Sequence, residues 1–96
     1  MNFVATPVNK SFMSLALCVE NVKIDSVLST FSDGRMESWG DDYSGYSNFD
    51  VGFVCLETGE TFYVYDRWGM VRIGCHNPDS VGARELASFL VNNLFN

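Results

Sequence analysis

The sequence predicts an α+β domain: an antiparallel three- to four-stranded β-meander with N-terminal helices and a C-terminal helix packed on one face. Two observations predict this class. Residues 50–75 contain three strand-like runs separated by turn sequences, and residues 83–94 carry apolar side chains at helical spacing. With 96 residues, of which 47% are hydrophobic, the chain is expected to form one small domain over residues 1–96.

The N-terminal third is predicted to be helical. Apolar residues at Ile24, Val27, Leu28 and Phe31 have the i, i+3, i+4, i+7 spacing of a short helix over residues 25–32. The run from Phe12 to Val19 is apolar on all sides, which fits either a buried helix or a buried strand. Its Leu, Ala and Met content favours the helix. Because this run is short, we expect neither a signal peptide nor a membrane span.

The meander has three predicted strands joined by two tight turns, Thr58-Gly59 and Trp68-Gly69. The strands are Val51–Glu57, Thr61–Asp66 and Met70–Cys75. Two-residue turns would pair Phe53 with Val64 and Val64 with Ile73. One face then collects the apolar residues of the predicted core: Val51, Phe53, Cys55, Phe62, Val64, Val71, Ile73 and Cys75.

The opposite face of the meander is a second candidate binding surface, because Tyr, Met and Arg are enriched at protein interfaces. Its residues are Tyr63, Tyr65, Arg67, Met70 and Arg72. The same register places Tyr65 opposite Gly52 and Tyr63 opposite Gly74, where a ring would cover glycine backbone. This face is therefore either an amphipathic cover of the sheet or the contact surface of a homodimer.

The C-terminal helix is predicted from an apolar stripe that should pack on the core face: Ala83, Leu86, Ala87, Leu90 and Leu94. Asn77, with Pro78 at the first helical position, is one candidate N-cap. Asp79 and Ser80 are the alternatives.

No residue pattern names a reaction, so the protein is not expected to be an enzyme, and no catalytic residue, metal or cofactor is expected. Asp41-Asp42 does not match the spacing of a calcium loop, and His76 has no nucleophile or carboxylate paired with it. Three cysteines, Cys18, Cys55 and Cys75, lie among apolar residues without C-x-x-C spacing. They are expected to be buried free thiols in the reducing cytoplasm.

Charge is segregated along the chain. Residues 33–60 hold seven acidic residues and Arg35, so the whole net charge of −6 lies in this stretch. Such a balance argues against direct nucleic-acid binding. The residues 33–49 are predicted to form an acidic, aromatic loop or edge segment. With neighbouring carboxylates, this segment gives the candidate partner-binding set: Asp33, Glu37, Trp39, Asp41, Asp42, Tyr43, Tyr46, Asp50, Glu57 and Glu60.

These features predict a non-enzymatic, acidic protein-interaction module. Aromatic side chains would supply desolvated anchors and carboxylates would steer a basic partner. The expected partner is the basic surface of a nuclease or nucleic-acid effector complex. In kind, though not by any motif, such a protein is similar to small phage anti-defence inhibitors, including anti-CRISPR proteins, and to immunity proteins. The alternative is a homo-oligomeric structural or accessory domain that uses the tyrosine-bearing sheet face.

Overall fold

The computed structural model describes residues 1–31, 35–37, 49–67 and 69–94 and confirms the α+β class. The strand count exceeds the predicted three to four, because two three-residue strands and a further edge strand join the meander. The elements in chain order are β1 (Phe3–Ala5), β2 (Ser14–Val19), α1 (Ile24–Thr30), β3 (Arg35–Glu37), β4 (Phe49–Cys55), β5 (Thr61–Arg67), β6 (Met70–Cys75) and α2 (Val81–Leu94).

All six strands form one antiparallel sheet in the order β1–β4–β5–β6–β2, and β3 also pairs with β4. Since β5 occupies one side of β4, β1 and β3 follow one another along its other side. β1 pairs with the end of β4 and β3 with its start, and Gly52 lies between them. There the Thr6 N–H donates to the Gly52 carbonyl oxygen at 2.9 Å.

The predicted register is confirmed between β5 and β6, where Val64 pairs with Ile73. Between β4 and β5 it is wrong by two residues, because Phe53 pairs with Phe62 instead of Val64. The connection is longer than a two-residue turn: the Cys55 N–H donates to the Glu60 carbonyl at 2.9 Å. Since the shift is even, every side chain keeps its predicted face.

The helix predicted for Phe12–Val19 is wrong, because Ser14–Val19 is the edge strand β2, paired with β6. Pairing with β2 satisfies the backbone groups on the outer side of β6, and this tertiary pairing overrides the helix propensity of the run. Phe12 and Asn21, both at φ 64°, flank the strand. The predicted short helix at 25–32 is confirmed as α1, so the N-terminal third contains one helix.

The core lies between the sheet and the two helices. The eight residues predicted for the core face of the meander are at most 1% exposed. Val27 of α1 and Leu86 and Leu90 of α2 are each 0% exposed and pack in the same cluster. Of the candidate caps, Ser80 is the one used: its Oγ accepts the Gly82 N–H at 3.0 Å. Among the described residues, no helix is long and apolar enough to cross a membrane.

Candidate functional site

The acidic segment, residues 33–49, includes β3, which pairs with β4 at one side of the sheet. Glu37, the last residue of β3, pairs with Phe49, the first of β4, so the chain leaves and re-enters the sheet at one point. Six predicted partner-binding residues lie outside the described residues: Asp33, Trp39, Asp41, Asp42, Tyr43 and Tyr46. Glu37 is described only as a backbone position of β3.

Asp50 does not fit its predicted role in partner contact, because it is 0% exposed. Its Oδ2 accepts a hydrogen bond from Lys10 Nζ at 2.8 Å, which forms an ion pair. Its Oδ1 is buried and has no hydrogen-bond partner in the described part of the chain. Burial raises the pKa of the Asp50 carboxyl, and the hydrogen bond and charge of Lys10 oppose that rise. Asp50 therefore holds an internal contact.

Glu57 and Glu60 remain partly or fully accessible, but both also have internal partners. Glu57 accepts the Asn2 backbone N–H at 2.8 Å and the Asn2 side-chain amide at 3.0 Å. The backbone hydrogen bond from Asn2 is the main cause that lowers the pKa of Glu57. Glu60 Oε1 accepts the Ser80 hydroxyl at 2.7 Å. These carboxylates fix the N-terminal strand and the start of α2, which is a role that the charge pattern alone does not indicate.

The second candidate surface is largely covered by the chain itself. Tyr63 and Tyr65 stack with ring centroids 4.7 Å apart and are 3% and 6% exposed. Val8 and Met13 pack against the two rings. Of the five predicted residues, Met70 is 43% exposed and Arg67 and Arg72 are half-buried. The tyrosines are thus part of a small second core instead of an open surface.

The cover of this face is residues 6–13, which we call the N-terminal strap. A Cβ at Gly52 would collide with the Thr6 carbonyl oxygen and with Val8, so the strap crosses the sheet above that glycine. A Cβ at Gly74 would collide with the ring of Tyr63. Sequence reasoning missed the strap, although a glycine inside a strand often indicates close approach of another backbone.

The three cysteines are free, as predicted, but only two are buried. Cys55 and Cys75 are 1% and 0% exposed, whereas Cys18 on β2 is exposed. Cys75 Sγ donates to the Asn77 carbonyl at 3.1 Å, and burial raises the pKa of this thiol. No three potential metal-ligating side chains come together within the described ranges.

Open clefts flank the helices. One cleft, of about 500 Å³, separates the edge strand β2 from α2. It is lined in part by Val19, Ala87 and Val91, and its polar residues show no nucleophile–base arrangement. This cleft therefore offers apolar contact area, and its lining residues form no catalytic arrangement.

No family model matches the chain, and no curated protein or solved structure matches it significantly. The fold and the sites described above are therefore the basis for assigning a function.

Proposed function

We propose that the protein is an acidic interaction module that binds the basic surface of a nucleic-acid-handling protein, such as a nuclease or effector complex, and inhibits it. The observation that carries this proposal is the confinement of the whole net charge of −6 to residues 33–60. Residues 1–32 and 61–96 each have balanced charges, so the acidic field arises from one part of the molecule.

The internal contacts narrow the binding set. Asp50 is buried against Lys10, while Glu57 and Glu60 are hydrogen-bonded to Asn2 and Ser80. The other four carboxylates of the acidic stretch belong to the 33–49 segment, where Asp41 and Asp42 are adjacent in sequence. We therefore assign the main contacts to this segment.

Its mode of action would be occlusion. Carboxylates close together in sequence, such as Asp41 and Asp42, would present a run of negative charge, as a phosphate backbone does. In the sequence, Trp39 lies between Glu37 and Asp41, and Tyr43 and Tyr46 follow Asp42; these rings would supply apolar anchors at the contact. A basic nucleic-acid channel filled in this way would lose access to its substrate.

The test is a charge reversal with a matched control. Asp41→Lys with Asp42→Lys reverses two charges in the segment. Asp79→Lys with Glu85→Lys changes the net charge equally, at exposed positions near and on α2. Each tagged variant is incubated with nuclease-treated host lysate at about 0.1 M salt and the retained proteins are identified; the association rate of the purified partner is then measured up to about 0.5 M salt.

We expect the wild type and the control to retain one basic nucleic-acid-binding protein, which the Asp41/Asp42 variant loses. The association rate of this partner should fall more than about tenfold in the Asp41/Asp42 variant. The association rate should also fall as the salt concentration rises. Equal binding by both double variants, or binding that salt does not weaken, would refute the proposal. Inhibition is then scored directly by the partner's activity on nucleic acid.

The alternative of self-association through the tyrosine face has little support, because Tyr63 and Tyr65 are 3% and 6% exposed beneath the strap.

A further inference from the structure

A polar cleft lies between α1 and the C-terminal end of α2, and we call it the α1–α2 cleft. Its volume is about 350 Å³, at the lower end of the ~300–1,000 Å³ that is usual for ligand sites. Four polar residues of α1 and the last two residues of α2 line it: Asp25, Ser26, Ser29, Thr30, Asn93 and Leu94. None of these lining residues is basic, so the cleft offers polar groups and a single, negative charge.

Hydrogen bonds within the chain already use donors of two lining side chains. The Ser29 hydroxyl donates to the Asp25 carbonyl oxygen at 2.8 Å, so Ser29 Oγ has only acceptor capacity left. One N–H of the Asn93 amide donates to the Phe89 carbonyl oxygen at 2.7 Å, and Asn93 Oδ1 remains as an acceptor. With the Asp25 carboxylate, which only accepts, these oxygens suit a ligand that is rich in donors.

The cleft also has a negative potential that the described chain does not neutralise. Asp25 is exposed, and the ion pair found within the described ranges joins Lys10 and Asp50 instead. The last carbonyl groups of a helix lack partners within the helix and form the negative end of its dipole. A basic side chain often compensates this end, but the last turn of α2 contains none. The α1–α2 cleft is therefore a place where a cation is favoured.

We propose that the α1–α2 cleft binds an arginine side chain of the basic partner, an inference that rests on the proposed function. A guanidinium group has five N–H donors and no acceptor, in a planar fork that can bond a carboxylate and neighbouring oxygens together. The Asp25 carboxylate would pair with its charge, and Ser29 Oγ and Asn93 Oδ1 would accept further N–H groups. Half-buried Leu94 would pack against the alkyl stem.

The position of the cleft in the chain agrees with this role. α1 ends at Thr30, and the acidic segment begins three residues later, at residue 33. Contacts at the cleft and contacts of the acidic segment therefore belong to adjacent parts of the chain. The acidic segment would steer the basic partner towards the molecule, and the cleft would add a directional contact with one arginine.

The first test uses a small probe, Nα-acetyl-arginine amide, and nuclear magnetic resonance of the isotope-labelled full chain. We expect saturable shifts of the Ser29 and Asn93 signals with roughly millimolar affinity. Nα-acetyl-citrulline amide, which has the same shape without the charge, should cause none, and Nα-acetyl-lysine amide should bind more weakly. Asp25→Asn should weaken binding of the arginine probe at least about fivefold. The control Asp79→Asn removes an equal charge at an exposed residue before α2 and should leave the affinity unchanged.

Three results of this titration would overturn the proposal. The first is a cleft that does not respond to the arginine probe. The second is an equal response to the citrulline or the lysine probe, which would show that the guanidinium is not recognised. The third is an equal effect of Asp25→Asn and Asp79→Asn, which would show that the probe senses only the net charge.

The second test uses the purified basic partner. Asp25→Asn should speed its dissociation at least about threefold, because a directional charged contact is lost, whereas Asp79→Asn should not. An unchanged dissociation rate would overturn the proposal. The arginine probe needs no partner, so the two possible failures are distinguishable. A cleft that binds the probe in a chain that retains no basic protein would refute the proposed function. A basic protein retained by a chain whose cleft ignores the probe would refute this inference alone.

Discussion

The ion pair between Lys10 and Asp50 provides the sharpest test of the strap as a structural element. Lys10→Met keeps much of the side-chain volume but removes the hydrogen bond that Lys10 Nζ donates to the Asp50 carboxylate. Asp50 is 0% exposed, its Oδ2 is bound to Lys10 at 2.8 Å, and its Oδ1 has no hydrogen-bond partner among the described residues. The variant would therefore leave a buried carboxylate without its ion-pair partner.

The expected cost is large for a domain of this size. Breaking a buried ion pair by removing one partner costs about 3–5 kcal/mol, whereas 96 residues correspond to a total stability of roughly 5–14 kcal/mol. Asp50→Asn should cost less, because it removes the buried charge and Lys10, with a side chain 19% exposed, can reach water. The double variant Lys10→Met with Asp50→Asn should regain at least about 2 kcal/mol relative to Lys10→Met.

The pH dependence has a definite sign. Burial raises the pKa of Asp50 above its ordinary value, so the folded state takes up this proton more readily than the unfolded state. The contribution of Asp50 to the free energy of unfolding is most favourable below the ordinary pKa of Asp. It is lost as the pH rises through the raised pKa of Asp50 in the folded state. Without Lys10 that pKa rises further, so the cost of Lys10→Met should be greatest at pH 7 and shrink towards pH 4.

The assay is urea unfolding followed by far-ultraviolet circular dichroism at pH 7, 5 and 4 for the wild type, both single variants and the double variant. Lys10→Met costing less than about 1 kcal/mol at pH 7 would show that the strap is not held by this pair. A double variant as unstable as Lys10→Met would show that the buried charge is not the cause.

Three further perturbations test single contacts. Gly74→Ala should lower the free energy of unfolding by about 1–3 kcal/mol, because its Cβ would collide with the Tyr63 ring; urea unfolding measures this. Glu57→Gln should lower the melting temperature at pH 7 but not near pH 2, because the lowered pKa of Glu57 gives a contribution that is lost as the pH falls through it. Ser80→Ala should cost about 1–2 kcal/mol by removing the acceptor for the Gly82 N–H, and Ser80→Thr should restore most of it. A Ser80→Ala variant as stable as the wild type would mean that this cap does not hold the helix.

The meander was predictable because its information is local. Period-two alternation assigns residues to faces, and those faces survive the two-residue register error between β4 and β5. The short turn after β5 gives the correct pairing of Val64 with Ile73. The apolar stripe of α2 likewise predicts both the helix and the face that it buries, since Leu86 and Leu90 are 0% exposed.

The missed parts depend on partners distant in sequence. Ser14–Val19 carries no decisive periodicity, and only the open side of β6 makes it a strand. β1 and β3 are three residues each, too short for any pattern, and both exist because β4 offers them an edge. The strap depends on Lys10 meeting Asp50, forty residues away, so no local signal shows that Asp50 is buried.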